Sequence, residues 1–388
     1  MNNKKLLITG YVTTLLGSYT YDQYIKWVIL DETNSAAFLG IATAITSVAL
    51  FFAQFLGGIA VDKYSPKRTM CAMELISATA ALLSIVCIMM NFNLLITVII
   101  LNTVLVLTSS VYSIASKAAL PYFVVTDHLK SFNSIQTACK NVLTLVSPIL
   151  AYIMIKIGID PIYAILLNLI TFLLNIFWLI RLKPVSIETK KVATIKFKEA
   201  FKVLYSDRVI FKMIIAAGIL NFYLFGFELL EKSIGKIYFS SVSIYMLIGI
   251  AAAIGAIFAA FLVHSKNDSV QRILSFIDVK KMIFLQGMVI LPFVLFSNIY
   301  TFLFATFFIS FLTIMFNIEF FTLVQLNIDR TILGKVFAII FLIATSTAPI
   351  ANLVYGYLIE FDVLITCIVT MVGLIILSLI IPRTENRS

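Results

Sequence analysis

Four ionisable side chains with chemical potential stand in long apolar runs: Asp22, Lys140, Glu228 and Glu319. Inside a bilayer each would cost about 2.5–3.5 kcal/mol on insertion scales, so each calls for a use. Asp22 lies 16 residues after Leu6 and 8 before Leu30, deep within its run. Thr14, Ser18, Asp22 and Lys26 recur every four residues and form a polar stripe on one helical face, with Tyr11, Tyr19 and Gln23 beside it. A carboxylate so placed can take up and release a proton in a wet cavity. It can equally form a neutral pair with Lys26 that helps the helix insert, and the residue types fit both. Lys140 is read as a second buried charge, with Thr137, Asn141 and Thr144 on nearby faces. It suits a countercharge or an anion contact, or a side chain that snorkels to the interface. Glu228 and Glu319 sit toward the ends of their runs, where an interfacial position explains them as well as proton transfer does. Glu74 is expected to join a cytoplasmic charge network around Asp62.

Other chemistry finds no footing. Gly235-Lys236 and Gly334-Lys335 lack both the upstream glycine and the following Ser/Thr of a phosphate-binding loop, which argues against a self-contained ATP-driven pump. The two histidines, His128 and His264, fall in loops, and no H-E-x-x-H occurs, so a zinc site has no ligands. Cys71, Cys87, Cys139 and Cys367 lie in apolar runs without a CxxC pair and read as buried thiols. No cofactor is expected, and no enzymatic activity.

The elements that must position these residues follow from composition. The chain has 388 residues, of which 61% are hydrophobic and only 12% charged, with a mean hydropathy of +1.05. A water-soluble domain carries about 25% charged residues and could not hide so much apolar surface. A spanning helix needs about 20 apolar residues, and twelve candidates are found. They cover 6–30, 36–61, 69–90, 94–115, 134–157, 162–182, 210–230, 242–263, 282–296, 300–323, 333–359 and 363–381. The first could open a secretory peptide, but its apolar stretch is long and has no small-x-small cleavage site, so it is expected to be retained.

The 29 basic residues exceed the 19 acidic ones and give a net charge of +10. With the amino terminus inside, 24 of the 29 fall in cytoplasmic segments and only Lys156, Lys232 and Lys236 outside. That asymmetry predicts cytoplasmic termini in the inner membrane. It also disfavours nucleic acid as partner, since the surplus is spread along one face in short linkers. The longest hydrophilic segment, 183–207, contains Ile195–Tyr205, an amphipathic stretch suited to anionic headgroups. It separates a bundle at 1–182 from one at 208–388. Ser147-Pro148-Ile149 and Ala348-Pro349-Ile350 lie 201 residues apart, about half the chain, and favour two related bundles.

The loop from Gly57 to Arg68 reads GGIAVDKYSPKR. It resembles the G-x-x-x-D-[RK]-x-G-[RK]-[RK] loop of the major facilitator superfamily: Gly58, Asp62, Lys63 and Lys67 match, and Arg68 extends the basic run. Ser65-Pro66 replaces the family's glycine and first basic residue, so a stiffer turn is expected. Ala119-Leu120-Pro121-Tyr122-Phe123-Val124, with Leu129, Asn133-Ser134 and Ser147-Pro148, is similar to a pattern of the macrolide-efflux and enterobactin-exporter branch. Phe132 and Ser147 stand there for alanine and glycine. Gln325 followed by Gly334-Lys335-Val336-Phe337 is similar to the run ahead of that branch's eleventh helix.

The resemblance implies an all-α polytopic membrane protein with twelve transmembrane helices in two six-helix bundles, the major facilitator fold. Helices one, four, seven and ten would line a central cavity, which places Asp22, Glu228 and Glu319 as proton-coupling candidates. Tyr19, Gln23, Lys26, Lys140 and Asn141 become cavity candidates. Gly58, Asp62, Lys63, Lys67 and Arg68 would form a conformational-switch loop, with Asp62 meeting the start of helix eleven. The expected activity is proton-coupled export of a small amphipathic compound, drug-like or siderophore-like, by a monomeric antiporter. Loss of glycine before Pro148 weakens the antiport reading. A non-transporting sensor or structural protein of the same fold, and an importer of a small metabolite, stay open.

Overall fold

Helix boundaries follow the capping residues. In the computed structural model, which describes residues 3–124, 129–183, 208–263, 278–328 and 333–381, Asn93 Oδ1 accepts from Ile96 N at 3.0 Å. Asp160 accepts from Ile162 N at 2.8 Å, Asp278 from Lys281 N at 2.8 Å, Asn298 from Thr301 N at 3.0 Å and Asp362 from Ile365 N at 2.8 Å. Each satisfies one of the amide groups that a helix start leaves without an internal partner. Pro66 and Pro161 occupy first turns, where a missing N–H costs nothing. Asn34 and Asn91 take left-handed backbone angles after their helices (φ 48° and 61°), a role asparagine tolerates well.

The helices so delimited are α1 (Asn3–Thr33), α2 (Ala36–Lys63), α3 (Pro66–Met89), α4 (Leu94–Phe123), α5 (Leu129–Lys156) and α6 (Pro161–Ile180). After the segment 184–207, which with its Ile195–Tyr205 stretch lies outside the described residues, come α7 (Arg208–Ile237) and α8 (Val242–Val263). Then follow α9 (Val279–Met288), α10 (Leu291–Phe296), α11 (Ile299–Asn327), α12 (Leu333–Ser346), α13 (Ala348–Phe361) and α14 (Val363–Ile380). Pro292 and Pro349 open the second halves of two interrupted spans, α9/α10 and α12/α13, so fourteen described helices make twelve crossings. The protein is thus an all-α polytopic membrane protein. α5 stays helical through Pro148.

By length and apolarity, eleven spans among the described residues could cross a membrane, and α1 is not among them. Its 31 residues suffice in length, but the Thr, Ser, Tyr, Asp, Gln and Lys side chains that interrupt it make it too polar for lipid on all sides. Such a helix must face protein or water. By contrast α3, α6 and α14 leave Leu83, Leu173 and Leu379 more than half exposed, as a lipid-facing surface requires.

Residue contacts divide the chain into two compact units, Met1–Asn34 with Ile45–Val192, and Ser35–Ala44 with Ala193–Ser388. α2 is therefore shared, its first turns packing in the second unit. There Gly40 and Gly356 bring α2 and α13 into backbone contact. A Cβ on Gly40 would lie 2.5 Å from Asn352 O and 2.9 Å from Gly356 Cα, so neither position has room for a side chain.

In the first unit α1 pairs with α5 and α6, and α3 with α4 and α6. In the second, α7 pairs with α12, α13 and α14, and α9 with α11 and α14. These are the same pairings repeated six crossings later. Buried contacts repeat as well: Ser77 meets Thr108 at 2.6 Å across α3/α4, and Gln286 donates to Thr313 at 3.1 Å across α9/α11. Thr108 and Thr313 each lie fourteen residues after the start of their helices.

One end of the first unit is tied by two side chains. Asn3 Nδ2 donates to Phe123 O (3.2 Å) and Lys183 O (2.6 Å). Lys67 Nζ donates to Ile180 O (2.9 Å) and Leu182 O (2.8 Å), at the carbonyl end of α6 where a cation is favoured. Lys67→Met should therefore lower stability by about 1 kcal/mol, read as a fall of a few degrees in the melting temperature of the purified protein. An unchanged melting temperature would show that the clamp adds nothing.

Candidate functional site

The α1 stripe holds the polar side chains that sequence spacing singles out. Lys26 Nζ lies 2.8 Å from Asp22 Oδ2, one turn apart on the same helix. The Asp22 side chain is 47% exposed and that of Lys26 18%, so the carboxylate is the open end of the pair. Tyr19 and Gln23 are half-buried beside it. The arrangement supplies one negative group, held by a cation, on a face that protein does not cover. It can exchange a proton or accept a hydrogen bond from a polar ligand.

The remaining candidates separate. Asn141 and Glu319 are half-buried, and Glu228 is exposed. Lys140, expected as a buried charge, is exposed instead: the face of α5 that carries it is not covered by protein. Lys63 and Arg68 are exposed, with Lys63 Nζ 5.5 Å from the Tyr64 ring centre. Lys67 clamps α6, as described. The surroundings of Gly58 and the side chain of Asp62 lie outside those described. All four cysteines are free, but only Cys367 is fully buried, which corrects the reading of the other three.

Glu74 overturns its expectation. It is 3% exposed and enclosed among α1, α3, α4 and α6, and forms no ion pair among the described residues. Asn175 Nδ2 donates to Glu74 Oε1 at 2.8 Å and lies 3.0 Å from Tyr112 OH. Thr14 on α1 faces the same carboxylate. α6 supplies Asn168, Thr171 and Asn175 on one buried face, directly against Gly10 and Gly17 of α1. The spacing of seven, two helical turns, matches on both helices. Sequence reading missed Asn175, although its pattern with Asn168 and Thr171 in an otherwise apolar helix carries the signal. It also missed Glu231, which lies between Glu228 and Lys232 and faces Thr306 of α11.

Part of the branch-like motif packs in a core, while the side chains of Pro121, Asn133, Ser134, Gln325 and Lys335 lie outside those described. Ala119, Leu120, Val124 and Phe132 join Leu6, Met70 and Leu179 in one buried cluster.

The family model that describes the Major Facilitator Superfamily matches residues 7–352. Among solved structures, the nucleoside transporter NupG superposes with a TM-score of 0.74 at 14% identity, covering 98% of each chain. A D-xylose-proton symporter gives 0.71 at 11% identity, covering 97% of this chain and 96% of its own. A bacterial homologue of the iron transporter ferroportin in its inward-facing state gives 0.68 at 16% identity, covering 97% and 98%. Among curated protein sequences, none matches the chain.

Proposed function

Because this chain belongs to the major facilitator superfamily, and is therefore a membrane transporter rather than an enzyme, we propose that it exports a small amphipathic compound by alternating access, coupled to protons. The observation that carries the reading is the half-exposed Asp22–Lys26 pair on a helix too polar for lipid. A proton is the smallest ligand able to switch such a pair between charged and neutral forms. It biases a two-state protein only through a difference in affinity between the states. The drug-like or siderophore-like class rests on the resemblance to the macrolide-efflux and enterobactin-exporter branch. Asp22 is assigned the coupling role, with Glu228 and Glu319 as reserves. Tyr19, Gln23, Lys26, Lys140 and Asn141 are assigned to the cavity, in a protein that acts as a monomer.

The two bundles are placed at 1–182 and 208–388, joined by a cytoplasmic linker at 183–207. Orientation is supported by the end of the first unit that Asn3 and Lys67 tie together. Lys4, Lys5, Lys67, Arg68, Arg181 and Lys183 stand at the helix ends there, on the side we assign to the cytoplasm, together with both termini.

Reconstitution into proteoliposomes under an imposed pH gradient tests the function, with lipophilic cations, macrolides and siderophores as the panel. Gradient-dependent outward movement of one class supports it. Inward movement of a metabolite would establish the second reading, which draws support from structural neighbours named as a nucleoside transporter and a sugar–proton symporter. The Gly57–Arg68 loop carries a separate expectation. Asp62→Asn should slow transport at least tenfold while leaving equilibrium ligand binding within about threefold, as a switch residue with no ligand contact would. Equal loss of both would give the loop a different task.

A further inference from the structure

Among the described residues, eight buried side-chain polar atoms lack a hydrogen-bond partner, and three of them belong to side chains grouped around Glu74: Thr14 Oγ1, Glu74 Oε2 and Asn175 Oδ1. Buried polar atoms are rarely left so. Glu74 is 3% exposed and Asn175 0%. Both hydrogens of the Asn175 amide are directed, one to Glu74 Oε1 and one toward Tyr112 OH, and its Oδ1 is left without a donor. That oxygen aims at Gly10 of α1, where an added Cβ would stand 2.2 Å away. Thr14 follows Gly10 by one turn on the same face. Its hydroxyl faces the Glu74 carboxylate, yet no hydrogen bond of normal geometry joins them.

We propose that the Thr14–Glu74–Asn175 cluster, between α1, α3 and α6, binds one small alkali cation of the sodium type. The donor set decides the class. Three oxygens, a carboxylate, an amide carbonyl and a hydroxyl, suit a hard cation and offer nothing to a soft one. A single formal negative charge neutralises a monovalent ion, whereas a divalent one would leave an uncompensated positive charge among apolar helices. No lysine or arginine forms an ion pair with Glu74 among the described residues, so the carboxylate has no other fixed countercharge. A proton on Glu74 would answer its charge but would leave Asn175 Oδ1 without a donor. Depth is consistent too: Glu74 lies about 12 Å from the start of α3 and Asn175 about 8 Å from the end of α6, at 1.5 Å per residue. The site is built within the first unit and does not depend on Asp22 or on what the protein transports.

The test uses the purified full-length protein in detergent, with radioactive sodium as the probe and choline chloride holding ionic strength constant. One sodium per chain should bind saturably, lithium in excess should displace it, and the melting temperature should rise with sodium concentration. Glu74→Gln, an uncharged isostere, should abolish binding and remove the sodium dependence of melting. Thr14→Val, which takes away one donor oxygen and keeps the shape, should weaken binding at least tenfold. It keeps the test decisive should Glu74→Gln fail to fold. Absent saturable binding overturns the proposal, as does binding unaltered in Thr14→Val. Stabilisation by lowered pH with no response to sodium would also overturn it and show that a proton neutralises the carboxylate.

Discussion

Asp22→Asn is expected to abolish transport driven by a pH gradient, a loss of at least a hundredfold, while ligand binding stays within about threefold of wild type. Asparagine keeps the size of the side chain and can still accept a hydrogen bond from Lys26, 2.8 Å away in the native pair. What it removes is the exchangeable proton. A proton affinity that differs a hundredfold between two conformations supplies about 2.7 kcal/mol of bias, at 1.36 kcal/mol for each tenfold step. Without the titrating group that bias vanishes, and ligand binding loses its pH dependence. Counterflow, in which labelled ligand exchanges without a gradient, should survive, because it needs no net proton movement. Transport at the wild-type rate under a gradient would make Asp22 structural and shift attention to Glu228 and Glu319.

Gly40→Leu should depress transport at least tenfold with a fall of only a few degrees in melting temperature. Gly40 meets the backbone of α13 at a distance that admits no side chain, and Gly356 Cβ would in turn stand 3.1 Å from Ala36 O, Ala37 Cα and Gly40 Cα. A leucine there forces the two helices apart. Overpacking of this kind costs about 1–3 kcal/mol, equivalent to a 5–150-fold shift between states. Alternating access requires pairings that form in one state and release in another, and this substitution penalises one of them alone. The other turns of α2 pack in the first unit, which is why stability should change little. A variant that melts like wild type and transports at its full rate would show that this pairing plays no part in the cycle.

Much of the fold is legible in the sequence because lipid imposes one rule, about 20 apolar residues per crossing. Caps such as Asn93, Asp160 and Asp362 mark where crossings start. The interrupted spans are not legible, since Pro292 and Pro349 open new helices whereas Pro148 leaves α5 continuous, and residue type alone does not separate the cases. The Asp22–Lys26 pair is legible because both partners lie on one helix at a fixed spacing. The Glu74 cluster is not, since its members come from α1, α3, α4 and α6 and no local periodicity joins position 74 to 175. Position alone, one turn or two from a helix start, suggested an interfacial acid. What the sequence does carry is the matched spacing of Gly10 and Gly17 with Asn175 and Asn168, a lock-and-key pattern visible only when two helices are compared. Lys140 fails for the opposite reason: hydropathy reports that a residue lies within a span and is silent on which way the helix turns it. The branch-like residues around Leu120 resemble a functional signature but fill a core, since packing too fixes residue types.

The divided allegiance of α2 has a consequence for biosynthesis. Gly40 finds its place only against Asn352 and Gly356, and Asn352 leaves the ribosome 312 residues later. At about 5–20 residues per second that interval is roughly 15–60 s. Through it the first turns of α2 lack their partner in α13, while the rest of the same helix can already be packed. A nascent chain halted in its second half would therefore present a half-docked helix, and this is the place where a membrane chaperone or a quality-control protease would find its handle.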